Sequence, residues 1–224
     1  MTPFPEAGGG IYLASQSPRR RQLLDQIGVP WCLLLPSDAA EEAALESLEA
    51  ARPGEAPARY VQRVTALKLD AAVARRDRLG LPDAPVLCAD TTVALGRQIL
   101  GKPDSPEAAR TMLQALAGRS HRVLTAVAAQ LGPRRESRLS ISTVWFAPLD
   151  AGRIDAYVAS AEPFGKAGGY GIQGLAATFV RRISGSYTGI MGLPLYETAE
   201  LLAALRAPVG RAPQAGTGRA GPKR

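Results

Sequence analysis

Residues 11–28 read IYLASQSPRRRQLLDQIG, and their folding sets the frame for everything else in the chain. Ile11, Tyr12, Leu13 and Ala14 make a short apolar strand, Ser15, Gln16 and Ser17 a hydroxyl-rich turn, and a helix follows. Ser17 suits the N-cap and Pro18 the first helical position, where its missing N–H and fixed φ do no harm. Leu23, Leu24 and Ile27 supply a buried face, and Gly28 suits the stop. Arg19, Arg20 and Arg21 fit that helix badly. They stand at the positive end of its dipole, where carboxylates are preferred. An anion explains them: free N–H groups, two serine hydroxyls and guanidiniums converging on one point make a phosphate site. A solvated basic turn is the alternative.

Moving outward, Val29–Pro36 (VPWCLLLP) predicts a short buried strand bounded by prolines. Residues 37–58, SDAAEEAALESLEAARPGEAPA, are acidic and alanine-rich, and helix and mobile flap both remain open there. Arg59–Arg76 has helical periodicity through Tyr60, Val61, Val64, Leu67 and Ala71. Lys68 falls inside it, a place where a lysine is ordinarily a solvated side chain. Residues 85–103, PVLCADTTVALGRQILGKP, predict an apolar strand interrupted by Asp90, then a hairpin turn at Gly96-Arg97-Gln98 and a return strand. A carboxylate in such a strand is costly unless a metal, a lysine, a substrate-bound water or backbone N–H groups compensate it. Lys102 is a candidate for that compensating charge or for a phosphate contact.

Asp104–Gly118 predicts a helix with an Asp104/Glu107 capping box. His121–Leu131 and Ser137–Leu149 read as strands, and Asp150–Ser160 as a short helix. His121, the one histidine, is expected to hold structure and not to catalyse. Lys166–Gly174 (KAGGYGIQG) matches G-x-G-x-x-G formally. The match does not indicate a dinucleotide, since no clear strand precedes it and Leu175–Ile183 reads as strand. The glycines suggest a loop approaching a ligand, with Gln173 presenting a bidentate amide. A hairpin through RRISGSYTG and a closing helix from Pro194, with Leu195, Ala199, Leu202 and Leu205 on one face, complete the chain. Strands and helices alternate irregularly, which predicts a mixed α/β sheet flanked by helices.

With 224 residues, 46% hydrophobic and 21% charged, the composition is that of an ordinary globular protein. The net charge of +7 does not demand nucleic acid, because Arg211, Arg219, Lys223 and Arg224 fall in a Gly/Pro/Ala-rich tail without a carboxylate. Segments 1–10 and 207–224 are expected to be disordered around one domain at 11–206. Cys32 and Cys88 lie in apolar runs without metal spacing, so free buried thiols in a cytoplasmic protein are expected. No run approaches a membrane span, and the N-terminal MTPFPEAGGG, without a basic start or an apolar core, is not expected to act as a signal peptide. An anion-binding turn, a buried acid on a strand and a glycine loop, with Lys68 and Lys102, suit a nucleotide held by its phosphates. Asp90 would activate water directly or through a divalent cation. There is no Walker A motif.

ASQSPRR (14–20), ADTTV (89–93), LGKP (100–103), GRSHRVLTAV (118–127), KAGGYGIQG (166–174) and MGLPLYET (191–198) resemble, in order, the motifs of the Maf family of nucleoside triphosphate pyrophosphatases. The resemblance runs from about Ile11 to Leu205. It implies a fold like that of inosine triphosphate pyrophosphatases, a mixed twisted sheet with flanking helices and two lobes around a cleft. It implies release of pyrophosphate with a divalent metal, Mg or Mn. Asp90 matches the family's proton acceptor and is the one candidate for holding metal. Ser15, Arg19 and Arg20 match its phosphate turn, and Lys68 and Lys102 its cleft lysines. Arg19, Thr91 and Gln173 match the positions tied to substrate choice. YGIQG looks like the branch acting on dTTP and UTP, and a Gln amide can pair with a pyrimidine O4 and N3–H. The sequence departs from the family in two places. Gly165 stands where the family has Asp before KAG, and the family glutamate after the second strand corresponds to Glu41 or Glu42. The expected partner is a nucleoside triphosphate, without stable nucleic-acid or membrane partners and with a homodimer left open. A nucleotide-sensing or nucleic-acid-contacting protein that has lost turnover is the alternative, favoured by Gly165 and the basic tail.

Overall fold

The computed structural model describes residues 10–207 and Val209. The expected terminal segments 1–10 and 207–224 therefore lie, apart from Gly10, Ala207 and Val209, outside the described residues. The chain begins as expected, with β1 (Ile11–Leu13), a turn, α1 (Pro18–Gln26) and Gly28 at φ 62. Next come β2 (Trp31–Leu33), α2 (Ala39–Ser47), α3 (Pro57–Arg78), β3 (Val86–Leu95) and β4 (Gln98–Leu100). α4 (Pro106–Leu116), β5 (Ser120–Leu131), β6 (Arg134–Phe146) and α5 (Ala151–Ala159) lead into two 3₁₀ turns, Ala167–Gly169 and Leu175–Phe179. β7 (Val180–Ser184), α6 (Tyr187–Met191) and α7 (Leu195–Ala204) close the fold.

The seven strands form one mixed sheet in the order β2-β1-β3-β5-β6-β7, with β4 on β3. β1 is parallel to β2 and β3, and every other pairing is antiparallel. Alternation along β3 sorts its side chains onto two faces. Leu87 and Ala89 pack with Ile11, Leu13, Leu23, Leu24, Leu201 and Leu202, beneath α1 and α7. Cys88 and Ala94 turn the other way, toward α3 through Leu69, Ala72, Val61 and Val64. A third cluster gathers Val93, Val123, Phe146, Tyr157, Tyr170 and Ile172 around the far end of the sheet.

One feature of the register creates the cleft. β1 pairs with β3 only as far as Leu13 opposite Leu87, and β4 rejoins it at Val93 opposite Leu100. Between those points β3 has a strand neighbour on one side alone, and Asp90, Thr91 and Thr92 lie in that gap. The groove there separates the β1/α1 packing from the far cluster, which is the two-sided cleft that the resemblance implies.

Several local expectations need correction. β2 is an edge strand, half-buried with Leu33 exposed, because only β1 covers it. Cys32 is accordingly half-buried, while Cys88 is buried. Residues 37–58 resolve in favour of a helix: Asp38 caps α2 by accepting from Glu41 N at 2.8 Å. α4 is capped by Ser105 and not Asp104, with Ser105 Oγ accepting from Ala108 N at 3.1 Å. Leu175–Phe179 is 3₁₀, so only Val180–Ser184 is strand, and Gly185 leads from it into α6 without forming a hairpin. The sheet-facing stripe of α3 is Val61, Val64, Leu69 and Ala72, with Leu67 and Ala71 half-buried beside it. The closing helix buries Thr198, Leu201 and Leu202, and Leu205 just past it, while Leu195 and Ala199 are half-buried. No helix among the described residues is long and apolar enough to cross a membrane.

Candidate active site

The gap beside β3 opens into a cavity of about 410 Å³, large enough for a nucleotide-sized ligand. Ser15, Arg19, Arg20, Lys68, Asp90, Thr91 and Lys102 all line it, so seven of the eight sequence-derived candidates converge. Gln173 does not. It is exposed and outside the lining, because the loop turns Tyr170 and Ile172 inward instead.

Asp90 projects from β3 toward α3, where Lys68 meets it at 2.7 Å. Lys68 lies four residues after Val64 and seven after Val61, on the sheet-facing stripe, so it is not the solvated lysine of the simple reading. It is the charge that compensates Asp90; Lys102, the other candidate, is not. Lys68 Nζ also meets Glu49 Oε1 at 2.6 Å, and Lys102 Nζ lies 3.3 Å from Glu49 Oε2. Burial opposes the charge on Lys68, but Asp90 and Glu49 outweigh it and hold the ammonium above the ordinary lysine range. Burial likewise raises Glu49, yet Lys68 and Lys102 prevail and hold it low. Four charges, two of each sign, thus form one closed cluster.

Glu49 was missed by the sequence reading, which offered Glu41 or Glu42. Glu41 instead turns away, to Arg75 at 2.7 Å and Arg78 at 3.2 Å. Glu42 accepts from Gln16 Nε2 at 2.7 Å at the cavity rim. Glu49 sits past the end of α2, and contacts with α3 fix its backbone: Tyr60 Oη donates to Glu49 O at 2.9 Å and Arg63 Nη2 to Ala50 O at 2.9 Å. No local pattern marks this residue, because the contacts that place it come from the next helix.

The opposite wall is the turn between β1 and α1. Ser17 occupies the N-cap but makes no side-chain bond to the first turn, which leaves those N–H groups without a side-chain acceptor. Arg19 Nε donates to Met191 O at 3.1 Å and Arg20 Nε to Gly192 O at 2.8 Å, clasping the C-terminal carbonyls of α6. Arg20 Nη1 also donates to Ser15 Oγ at 2.9 Å. Burial presses both guanidiniums below their ordinary range, with Asp90 partly supporting Arg20.

Thr91 faces the α6 side. Thr125 Oγ1 donates its single proton to Gly189 O at 2.7 Å, so its 2.9 Å contact with Thr91 Oγ1 is one it accepts. Thr91 is thereby left with only acceptor capacity toward the cavity.

The third wall is the glycine loop, Lys166–Gly174, which contributes Lys166, Ala167, Tyr170 and Ile172. Glu162 fastens both of its ends. Its carbonyl accepts from Lys166 Nζ, and its carboxylate accepts from Tyr157 Oη at 2.9 Å and Leu175 N at 2.8 Å. Gly168, at φ 69, packs directly on Val93, where a side chain has no room. His121 stands behind the loop as a structural residue, bonded to Tyr170 Oη at 2.7 Å and edge-on to Phe146. Burial pushes its pKa down to about 4, so the ring is neutral. Gly165, at φ 71, places no carboxylate at the cavity.

Among the described residues no group of three or more His, Cys, Asp or Glu is placed to hold a metal ion. A divalent cation that travels on substrate phosphates needs only one or two carboxylates, and Asp90 with Glu49 fits that demand.

The model of the family described as Maf-like protein matches residues 10–205. A dTTP/UTP pyrophosphatase of Cupriavidus metallidurans is 62% identical over 192 residues, covering 86% of this chain and 94% of that one. One from Polaromonas is 59% identical over 194 residues, 87% of this chain and 95% of its own. One from Ralstonia nicotianae is 58% identical over 204 residues, 91% and 97% of the two chains.

Proposed function

The chain belongs to the Maf family, and from that premise we propose that it hydrolyses dTTP and UTP to the monophosphate and pyrophosphate, as a nucleoside triphosphate diphosphatase. The observation that carries the reading is the Asp90–Lys68–Glu49 cluster in the gap beside β3, facing the cationic turn of α1 across one cavity. That arrangement matches phosphate recognition by Arg, Lys and helix N–H groups with a carboxylate poised for water.

Asp90 accepts a proton from water as the water oxygen bonds to the α-phosphorus. The bond from that phosphorus to the bridging oxygen breaks, and its electron pair leaves with pyrophosphate. Lys68 holds Asp90 in place at 2.7 Å and steadies the charge that develops. Ser15, Arg19 and Arg20 orient the phosphates, and Lys102 holds Glu49 at the rim. A bound Mg or Mn, held by Asp90 and Glu49, would supply Lewis-acid neutralisation of the phosphates. Val93, Val123, Tyr170, Ile172 and Ile190 offer apolar surface for the nucleoside. Thr91 offers the acceptor that a pyrimidine N3–H needs. The Gln173 amide faces solvent and takes no part in this arrangement. Free thiols at Cys32 and Cys88 and a nucleotide substrate support work in the cytoplasm.

The test is pyrophosphate release from a panel of triphosphates with Mg²⁺ or Mn²⁺, wild type beside Asp90→Asn. Activity on dTTP and UTP that falls by about 10³-fold in the variant is expected, in the range for loss of a general base. Purine-only activity would sink the pyrimidine assignment. Tight nucleotide binding without turnover would make the protein a sensor.

A further inference from the structure

Six cationic side chains line the cavity: Arg19, Arg20, Lys68, Arg75, Lys102 and Lys166. Three of them have carboxylate partners. Lys68 pairs with Asp90 and Glu49, Lys102 with Glu49, and Arg75 with Glu41. Arg19, Arg20 and Lys166 have no ion pair among the described residues, and bond only neutral oxygens of Met191, Gly192, Ser15 and Glu162. Among the described residues, the cavity's unpaired positive charge is therefore confined to the α1 turn and the glycine loop, while Glu42 and Glu46 of α2 line it without an ion pair.

That asymmetry decides where a triphosphate lies. The cluster of Asp90, Glu49, Lys68 and Lys102 sums to zero and offers no net attraction to a polyanion. Most of the substrate's negative charge is on its two terminal phosphoryl groups, which become the pyrophosphate. We propose that Lys166, together with Arg19, seats these terminal phosphates and holds the leaving pyrophosphate. Lys166 thus becomes a further substrate-binding residue, and Lys102 stays with the acidic cluster.

Three observations support the assignment. Lys166 spends one N–H on the Glu162 carbonyl, and its other donors remain for the cavity it lines. Burial and the charge of Arg19 together depress its pKa, which places the two cations within electrostatic reach. Gly165 beside it carries no carboxylate that could neutralise it. Glu162 offsets the depression only in part, so two desolvated like charges repel each other, and an anion bound between them relieves that repulsion.

The proposal rests on the pyrophosphatase reading, and the experiment separates the two. UTP hydrolysis by the full chain is measured with added inorganic pyrophosphate or UMP, for wild type, Lys166→Gln and Lys166→Arg. The glutamine amide keeps a donor for the Glu162 carbonyl and removes only the charge. Lys166→Gln is expected to weaken inhibition by pyrophosphate about ten-fold, the scale of one charge-assisted contact. UMP inhibition is expected to stay within about two-fold, and Lys166→Arg to restore the wild-type pattern. Equal weakening of both inhibitors would reduce Lys166 to a loop fastener and overturn the proposal, as would no change in either. A thermal melt of each variant identifies loss of fold, and Lys166→Met then repeats the charge removal. A wild type that releases no pyrophosphate from any triphosphate fails at the underlying function, a different result.

Discussion

The two sides of the cleft use the same residue types for opposite purposes. Toward α3, Lys68 and Lys102 are locked to Asp90 and Glu49, and the cluster is neutral. Toward α1 and the glycine loop, Arg19, Arg20 and Lys166 rest on neutral oxygens and keep their charge. The neutral side is suited to chemistry, because its charges hold one another in place, with Lys68 and Lys102 keeping the Glu49 carboxyl low inside the cleft. The charged side is suited to binding, because it remains uncompensated until a polyanion arrives. A lysine's role here is set by its partner and cannot be read from the residue type.

Beyond Asp90→Asn, the next largest effect is expected on the neutral side. Glu49→Gln leaves Lys68 with one carboxylate and Lys102 with none, and should lower kcat by roughly 100-fold, on the scale of losing one preorganised electrostatic group. Glu42→Gln, at the rim and bonded only to Gln16, should stay within about two-fold of wild type. Equal effects in steady-state kinetics would break the distinction between Glu49 and the other acids of this segment.

A smaller effect tests the hydroxyl pair between the two sides. Thr125→Val removes the group that fixes Thr91 as an acceptor, while Thr125→Ser keeps it. The ratio of kcat/KM for UTP over CTP is expected to fall about ten-fold in the valine variant and to hold in the serine one, since N3 donates in uracil and accepts in cytosine. An unchanged ratio would remove Thr91 polarity from base choice.

The smallest effect on activity, though not on stability, belongs to His121. Its folded pKa of about 4 lies below the ordinary 6.5, so between those values only the unfolded chain takes up the proton. Stability is intact above pH 6.5 and falls as pH drops toward 4. Between pH 7 and pH 5 the loss is about 2 kcal/mol at 1.36 kcal/mol per unit. His121→Gln, which keeps a polar contact for Tyr170, should flatten that slope in urea titrations. An equally steep slope would remove His121 as its source.

Much of the fold was legible in the chain. Pro18 and Gly28 bracketed α1, the apolar run around Asp90 gave β3, and Gly96 gave the turn to β4, since each depends on neighbours within a few residues. The misses share a different cause. Asp104 and Ser105 are both good caps, and the choice fell to whichever backbone entered the helix extended. Lys68 was legible in principle, as it stands at helical spacing from Val61 and Val64, yet its partners came from β3 and the segment after α2. Gln173 was expected inside the cleft, but the grip of Glu162 on both loop ends turned Tyr170 and Ile172 inward.

The sequence by itself determined the family, the mixed α/β class and seven residues of the cleft, because ordered motifs and local capping survive in one dimension. Tertiary structure alone decided which cations are neutralised, that Glu49 and not Glu41 or Glu42 meets Lys68, and that Lys166 has no ion pair among the described residues. The reason is physical. Charge compensation acts over a few ångströms in space, and here the partners are 19, 22 and 53 residues apart in the chain.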